Sequence, residues 1–161
     1  VEDDLGLSTP IFFREAFLSQ GLHADWVQCG LSFCKKRGTL HGIHYQAAPY
    51  KDAKLIYCIR GAAYNVIIDL RKDAPTFMQS IAIALTGDSH RMLYIPEQFA
   101  HGFQARMDYT ELFYQVSEPY SPEYARGIRW DDPAFKIRWP IQEVIISDQD
   151  RSFPPWNVNR L

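Results

Sequence analysis

No stretch of the 161 residues approaches a membrane span; a helix crossing a bilayer needs roughly 20 consecutive apolar residues. Cysteine is scarce and unpatterned. Cys29, Cys34 and Cys58 are odd in number and form no C-x-x-C pair, which argues against a disulfide framework or a zinc knuckle and predicts free thiols in a reducing cytoplasm. Charge of one sign is lacking too: the formal net charge is -2, so there is no basic field to draw nucleic acid. The densest cationic cluster, Lys35, Lys36 and Arg37, reads as a solvated turn. Apolar 3.6-residue periodicity is rare, with only "REAFLSQG" reading as a brief helical turn. Internal repeats, low-complexity segments and linkers are absent. The start, "VEDDLGLS", is acidic, has no signal-peptide character and lacks a methionine, so the sequence is expected to begin inside the natural chain.

What the chain does have is apolar and aromatic content, 47% and 14%, enough to bury a real core in a single domain over residues 1–161. Short β-rich segments recur between turn signals. "KLIYCI" and "YNVIIDL" read as two strands joined by a tight glycine turn. "SIAIAL" and "ELFYQV" alternate with the period of half-buried strands, the latter placing Leu112, Tyr114 and Val116 on one face. "RMLYIP" stops at Pro96. The pattern predicts an all-β antiparallel sandwich or barrel. From Pro133 onward, Pro140, Pro154 and Pro155 interrupt regular structure, so this tail is expected to wrap the barrel, docking Trp130 and Trp139.

Several residues are of types that do chemistry. "GTLHGIHYQ" carries His41 and His44 three apart. A regular strand sends them to opposite faces, although Gly42 permits a bulge that would unite them. Metal binding, proton transfer and packing all remain open for this pair. Metal is the weaker reading, because barrel sites usually place two histidines two apart with an acid and a third histidine nearby. His101 in "FAHGF" lies between aromatics just after Pro96, where a structural role competes with a binding one. The Tyr114 hydroxyl enters the interior face and needs a partner. Asp148 and Asp150 in "ISDQDR" stand near the end, where a lone carboxylate is most often exposed.

Taken in order, "FFREAF", "GTLHGIHYQ", "KLIYCIRGAAYNVIIDLRKDAPTF", "RMLYIPEQFAHGF", "YTELFYQV", "PYSPEYARGIRWDDPAFKIRWP" and "ISDQDR" resemble the dTDP-4-dehydrorhamnose 3,5-epimerases, cofactor-free cupins of nucleotide-sugar metabolism. The resemblance implies a cupin-type jelly-roll β-barrel with short helical segments. It also implies a cytoplasmic homodimer, one subunit's N-terminal segment contacting the other's site, acting in dTDP-rhamnose and lipopolysaccharide or other polysaccharide biosynthesis. The substrate would be a nucleotide sugar, dTDP-linked, with no cofactor and no metal. By the same resemblance His44 is a base paired with Asp150, Tyr114 is the proton donor from the opposite face, and Lys54 stabilises the enolate. Tyr120 would stack on the thymine, His101 and Gln28 would contact substrate, and Glu15 matches the acid of the family's N-terminal strand. The implied reaction inverts C3, C5 or both in a 4-keto-6-deoxy sugar nucleotide, where the carbonyl acidifies both neighbouring C–H bonds.

Four positions depart from the family pattern. His41 stands for an arginine, and Gln28-Cys29-Gly30 for Q-D-N or Q-E-N. "LGLSTPIFF" lacks the arginine of D-x-R-G, and Ala125 replaces a glutamate. These positions mostly hold substrate, while the proton-transfer set is intact. The expectation is an active epimerase whose sugar or nucleotide differs from the usual one, His41 being a weaker phosphate contact or mere packing. A cupin that binds sugar nucleotides without turning them over is the alternative.

Overall fold

A computed structural model describes residues 2–3 and 6–161, so that Leu5 of the departing "LGLSTPIFF" segment lies outside the described residues. In chain order the elements are β1 (Glu2–Asp3), β2 (Gly6–Leu7), α1 (Arg14–Ser19), β3 (Gln28–Cys34), β4 (Thr39–Gln46), β5 (Lys54–Arg60) and β6 (Ala62–Asp69). There follow β7 (Ser80–Thr86), β8 (Met92–Ile95), β9 (Phe99–Ala105), β10 (Thr110–Val116), β11 (Ala125–Gly127), β12 (Ile145–Ile146) and α2 (Asp148–Arg151). Two sheets form the barrel. One runs β3-β10-β5-β8; the other runs β11-β4-β9-β6-β7, with β12 added beside β4 in parallel. The architecture is the expected jelly roll with two short helices. No helix among the described residues is long and apolar enough to cross a membrane.

The period of two sorts side chains between two cores. Inward residues of both sheets, including Cys34, Ile56, Ile67, Leu93, Phe103 and Leu112, meet inside the barrel. The outer face of the larger sheet forms a second core, in which Leu40, Ile43, Val66 and Ile68 pack against Ile128, Phe135 and Trp139. This explains why "NVIID" shows no alternation: Val66, Ile67 and Ile68 are all buried, because the chain after Gly127 covers the face that would otherwise meet water. Burying each such side chain is worth about 1.5–3 kcal/mol, so the wrapping tail is a structural layer and not an appendage. Trp139 is fixed by its Nε1–H donating to the Trp130 carbonyl at 2.8 Å.

The glycine turn between β5 and β6 is a corner, not a hairpin. The two strands belong to different sheets, and Gly61 (φ +77°) carries the chain across. A Cβ there would lie 2.6 Å from Thr110 Oγ1, so both the backbone conformation and the lack of space require glycine.

Candidate active site

A cavity of about 630 Å³ opens between the two sheets, a size that suits a small-molecule ligand. Its walls bring together His41, His44, Lys54, His101, Tyr114, Asp150, Gln28 and Tyr120. Of the residues that the resemblance gave a role, Glu15 alone does not line it, and Asp148, singled out beside Asp150, does not line it either. Glu15 is exposed on α1, as the helical reading of "REAFLSQG" expects and unlike the strand that the family pattern suggested.

The puzzle of two histidines three apart resolves at Gly42. The ladder between β4 and β9 slips between His41 and His44, and Gly42 takes φ +99°. The extra residue turns an odd offset into a shared face, so both imidazoles line the cavity. His41 stacks on Phe103 at 5.0 Å and 21°. Its edge is open to the cavity, yet enough protein surrounds the ring that desolvation pulls its pKa down, with the charges of Asp150 and His44 acting in opposite senses.

His44 is held by the tail. Its Nε2 lies 2.7 Å from Asp150 Oδ1, and Asp150 Oδ2 accepts the Gly42 N–H at 2.9 Å. Ser147 caps α2, its Oγ accepting from the Asp150 N–H at 3.1 Å, which fixes where the carboxylate sits. Asp150 is only 4% exposed, unlike an ordinary terminal carboxylate. Burial pushes its carboxyl pKa up, but the bonds from His44 and Gly42 and the nearby imidazoles outweigh that and hold it below its usual value. An ionised carboxylate only accepts, so His44 Nε2 carries the proton and Nδ1 is left bare. Phe153 meets the His44 ring edge-on at 5.7 Å, and its own ring occupies the space a Cβ at Gly127 would fill.

The facing sheet contributes Tyr114, Leu112 and Val116 from one side of β10, as the alternation of "ELFYQV" predicts. Tyr114 lies directly opposite Gly30 on β3. A Cβ at position 30 would stand 2.5 Å from the Tyr114 hydroxyl oxygen, so the glycine that replaces the family's asparagine is what gives the phenol its seat. Lys54 begins β5 and forms an ion pair with Asp52; both side chains are largely buried.

Some residues in and behind the cavity wall escaped sequence reasoning. Asp52 stands two residues before Lys54, so the strand period was an available signal. Asn65, a lone amide in apolar "YNVIID", hydrogen-bonds His101 Nε2 through Oδ1 at 3.1 Å. Arg126 lines the mouth, and its Nη1 donates to the carbonyls of Glu123 and Ala125 at 2.7 and 3.0 Å. Gln46 ties down the loop bearing Tyr120, donating to the Pro119 carbonyl at 3.2 Å and accepting the Ser121 N–H at 2.7 Å. Phe153 carried no signal, since nothing in "RSFPPW" says which way the ring turns. Among the described residues no three His, Cys, Asp or Glu side chains converge as metal ligands.

Known proteins of one family are similar to this chain in sequence and fold. Residues 1–157 match the family model described as dTDP-4-dehydrorhamnose 3,5-epimerase. A Shigella flexneri dTDP-4-dehydrorhamnose 3,5-epimerase is 39% identical over 145 residues, 86% of this chain and 80% of the relative. A Bacillus anthracis enzyme of that name, solved with TDP and pyrophosphate bound, superposes with a TM-score of 0.92 at 39% identity, covering 96% of this chain and 88% of the other. A Legionella pneumophila enzyme in complex with dTDP-4-keto-L-rhamnose gives a TM-score of 0.88 at 30% identity, with 98% and 82% covered.

Proposed function

The chain belongs to the dTDP-4-dehydrorhamnose 3,5-epimerase family and is a carbohydrate epimerase, and from that premise we propose that it inverts C3, C5 or both of a 4-keto-6-deoxy sugar nucleotide by proton transfer across its cavity. The observation that carries the reading is His44 of one sheet, paired with Asp150 of α2, lining one cavity with Tyr114 of the other sheet. His44 Nδ1 takes the proton from the carbon next to the ketone, and the C–H electron pair moves onto the C4 oxygen. Asp150 stabilises the imidazolium that forms. The Lys54 ammonium stabilises the enolate oxygen, a contribution typically worth about 3–4 kcal/mol. Tyr114 then delivers its hydroxyl proton to the opposite face of the carbon, and solvent restores phenol and imidazole.

The departures bear on substrate choice. Where the family has an arginine, His41 offers a ring whose pKa is lowered, so it meets a phosphate as a neutral donor and not as a fixed cation. Lost charge-assisted bonds cost about 1.5–3 kcal/mol each, and Arg126 supplies a cation at the mouth in partial compensation. The substrate therefore differs from the usual one in its sugar or its nucleotide. A homodimer and a cytoplasmic location belong to the same proposal. Leu31, Phe33 and Ile59 expose apolar surface on the outside of the smaller sheet, and all three cysteines are free.

Solvent deuterium incorporation into a panel of 4-keto sugar nucleotides tests the reading. Exchange at C3 or C5 that disappears in His44→Asn supports it. Tight binding of a panel member without exchange would replace it with the binding-only alternative.

A further inference from the structure

His101 is the second imidazole of the cavity that is anchored by a partner, and its partner differs from that of His44 in one respect: it is an amide. Asn65 is fully buried on β6. Its Nδ2 donates to the Ile83 carbonyl at 3.3 Å and, more weakly, to the Ala63 carbonyl at 3.5 Å. Carbonyls only accept, so these contacts orient the amide with Oδ1 toward His101. That oxygen also only accepts, so His101 Nε2 must carry the ring proton. Nδ1 is then the bare nitrogen, and it makes no hydrogen bond among the described residues, although His101 is 91% buried and lines the cavity.

We infer that Asn65 is a positioning residue that locks His101 as a neutral Nε2–H imidazole, whose Nδ1 accepts a hydrogen bond from a hydroxyl of the sugar in the cavity. The identity of the donor rests on the epimerase reading; the tautomer does not. Groups packed around the ring point the same way. Lys54 on β5 and His44, the cross-strand neighbour on β4, both disfavour a positive charge on His101. Asp52 is committed to Lys54, and Asp150 to His44 and Gly42. His41, on β4 of the same sheet, has its own pKa lowered by burial, and Tyr114 lines the cavity from β10 of the facing sheet. Burial is the largest effect, and together these hold the His101 pKa down to about 3. The consequence for the reaction is a division of labour. The histidine with a carboxylate partner is able to become a cation; its neighbour with a carboxamide partner stays neutral and does not repel it.

Two-bond ¹H–¹⁵N NMR of the labelled protein between pH 5 and 8 tests this. The expected pattern for His101 is one protonated nitrogen, Nε2, unchanged across the range. In Asn65→Asp a carboxylate replaces the amide, and an imidazolium pattern should appear within the same range, with a matching change in the pH profile of deuterium exchange. If that variant does not fold, the wild-type spectrum alone decides. A His101 that titrates between pH 5 and 8, or carries its proton on Nδ1, overturns the proposal. Adding dTDP-6-deoxyglucose, which has no ketone to react, should shift His101 Nδ1, whereas dTDP alone should not. Binding that leaves this resonance unmoved overturns the hydroxyl contact. Failure of the dTDP, UDP, CDP and GDP conjugates of 6-deoxyglucose alike to bind overturns the assigned donor and, together with no exchange on the keto-sugar panel, the epimerase reading, leaving the tautomer to the first measurement.

Discussion

Replacing Asp150 with asparagine keeps the shape of the side chain and removes its charge. The carboxylate serves two donors, the Gly42 N–H at 2.9 Å and His44 Nε2 at 2.7 Å, and an amide has a single acceptor oxygen. Leaving the buried Gly42 N–H unpaired costs about 1–3 kcal/mol, so the oxygen stays there and the NH₂ turns to His44. An NH₂ donates, which forces Nε2 to be the bare nitrogen and moves the ring proton to Nδ1. The nitrogen meant to receive the substrate proton is then already occupied. The imidazolium also loses its counter-charge. Unit charges about 4 Å apart interact by about 4 kcal/mol at an effective dielectric near 20. The His44 side chain is 48% exposed, so half of that, on the order of 2 kcal/mol or about 30-fold in rate, is the figure to carry. The same tautomer trap costs about 10⁴ in the serine-protease triad. Asp150→Asn should therefore lower deuterium exchange at C3 and C5 by about 10³–10⁴-fold, with KM little changed. The assay is exchange in heavy water followed by NMR, with thermal melting to show that the variant is folded. A folded variant that exchanges within tenfold of wild type would refute the reasoning.

Gly30→Ala tests the seat of the phenol. Its Cβ would come 2.5 Å from the Tyr114 hydroxyl oxygen, so the ring must shift by about 1 Å, a displacement that can cost about a hundredfold in turnover; equal turnover in the variant and wild type would deny Tyr114 its role. Acid stability should report Asp69, whose carboxyl is held down to about 2, from 3.8, chiefly by the hydrogen bond from Arg71. A carboxyl depressed in the folded state stabilises above its unfolded pKa and loses that contribution as pH falls. Asp69→Asn should accordingly have a lower urea midpoint than wild type at pH 7, the gap closing between about pH 4 and pH 2; a constant gap across that window would count against it. Leu31→Glu places a charge on the exposed apolar face of β3 and should convert a dimer to monomer in sedimentation, while an unchanged mass would move the interface elsewhere.

How much was legible in the chain depended on the distance over which each feature is decided. Strand periodicity is local, so β5, β7, β8 and β10 were readable, and with β10 the inward face of Leu112, Tyr114 and Val116. The β5–β6 corner was not, because the same tight glycine turn serves a hairpin or a change of sheet, and only the packing of Gly61 on Thr110 distinguishes them. Gly42 advertised a possible bulge, but whether His41 and His44 share a face depends on the register with β9, which no property of "GTLHGIHYQ" encodes by itself. Asp150 looked like an exposed terminal acid; its burial follows from a contact 106 residues away in sequence. Asn65 showed itself only as an oddity in an apolar run. Its role emerged once β6 and β9 were seen side by side.

The pairing of β12 and α2 with β4 has a consequence for biogenesis. In the proposed mechanism, half of the acid–base couple comes from α2, which is synthesised after every strand of both sheets. A nascent chain or a clipped one could thus own a finished barrel and still be inert toward keto sugars, its imidazole lacking an anion. Turnover in such a molecule certifies that α2 has been made and has docked beside β4.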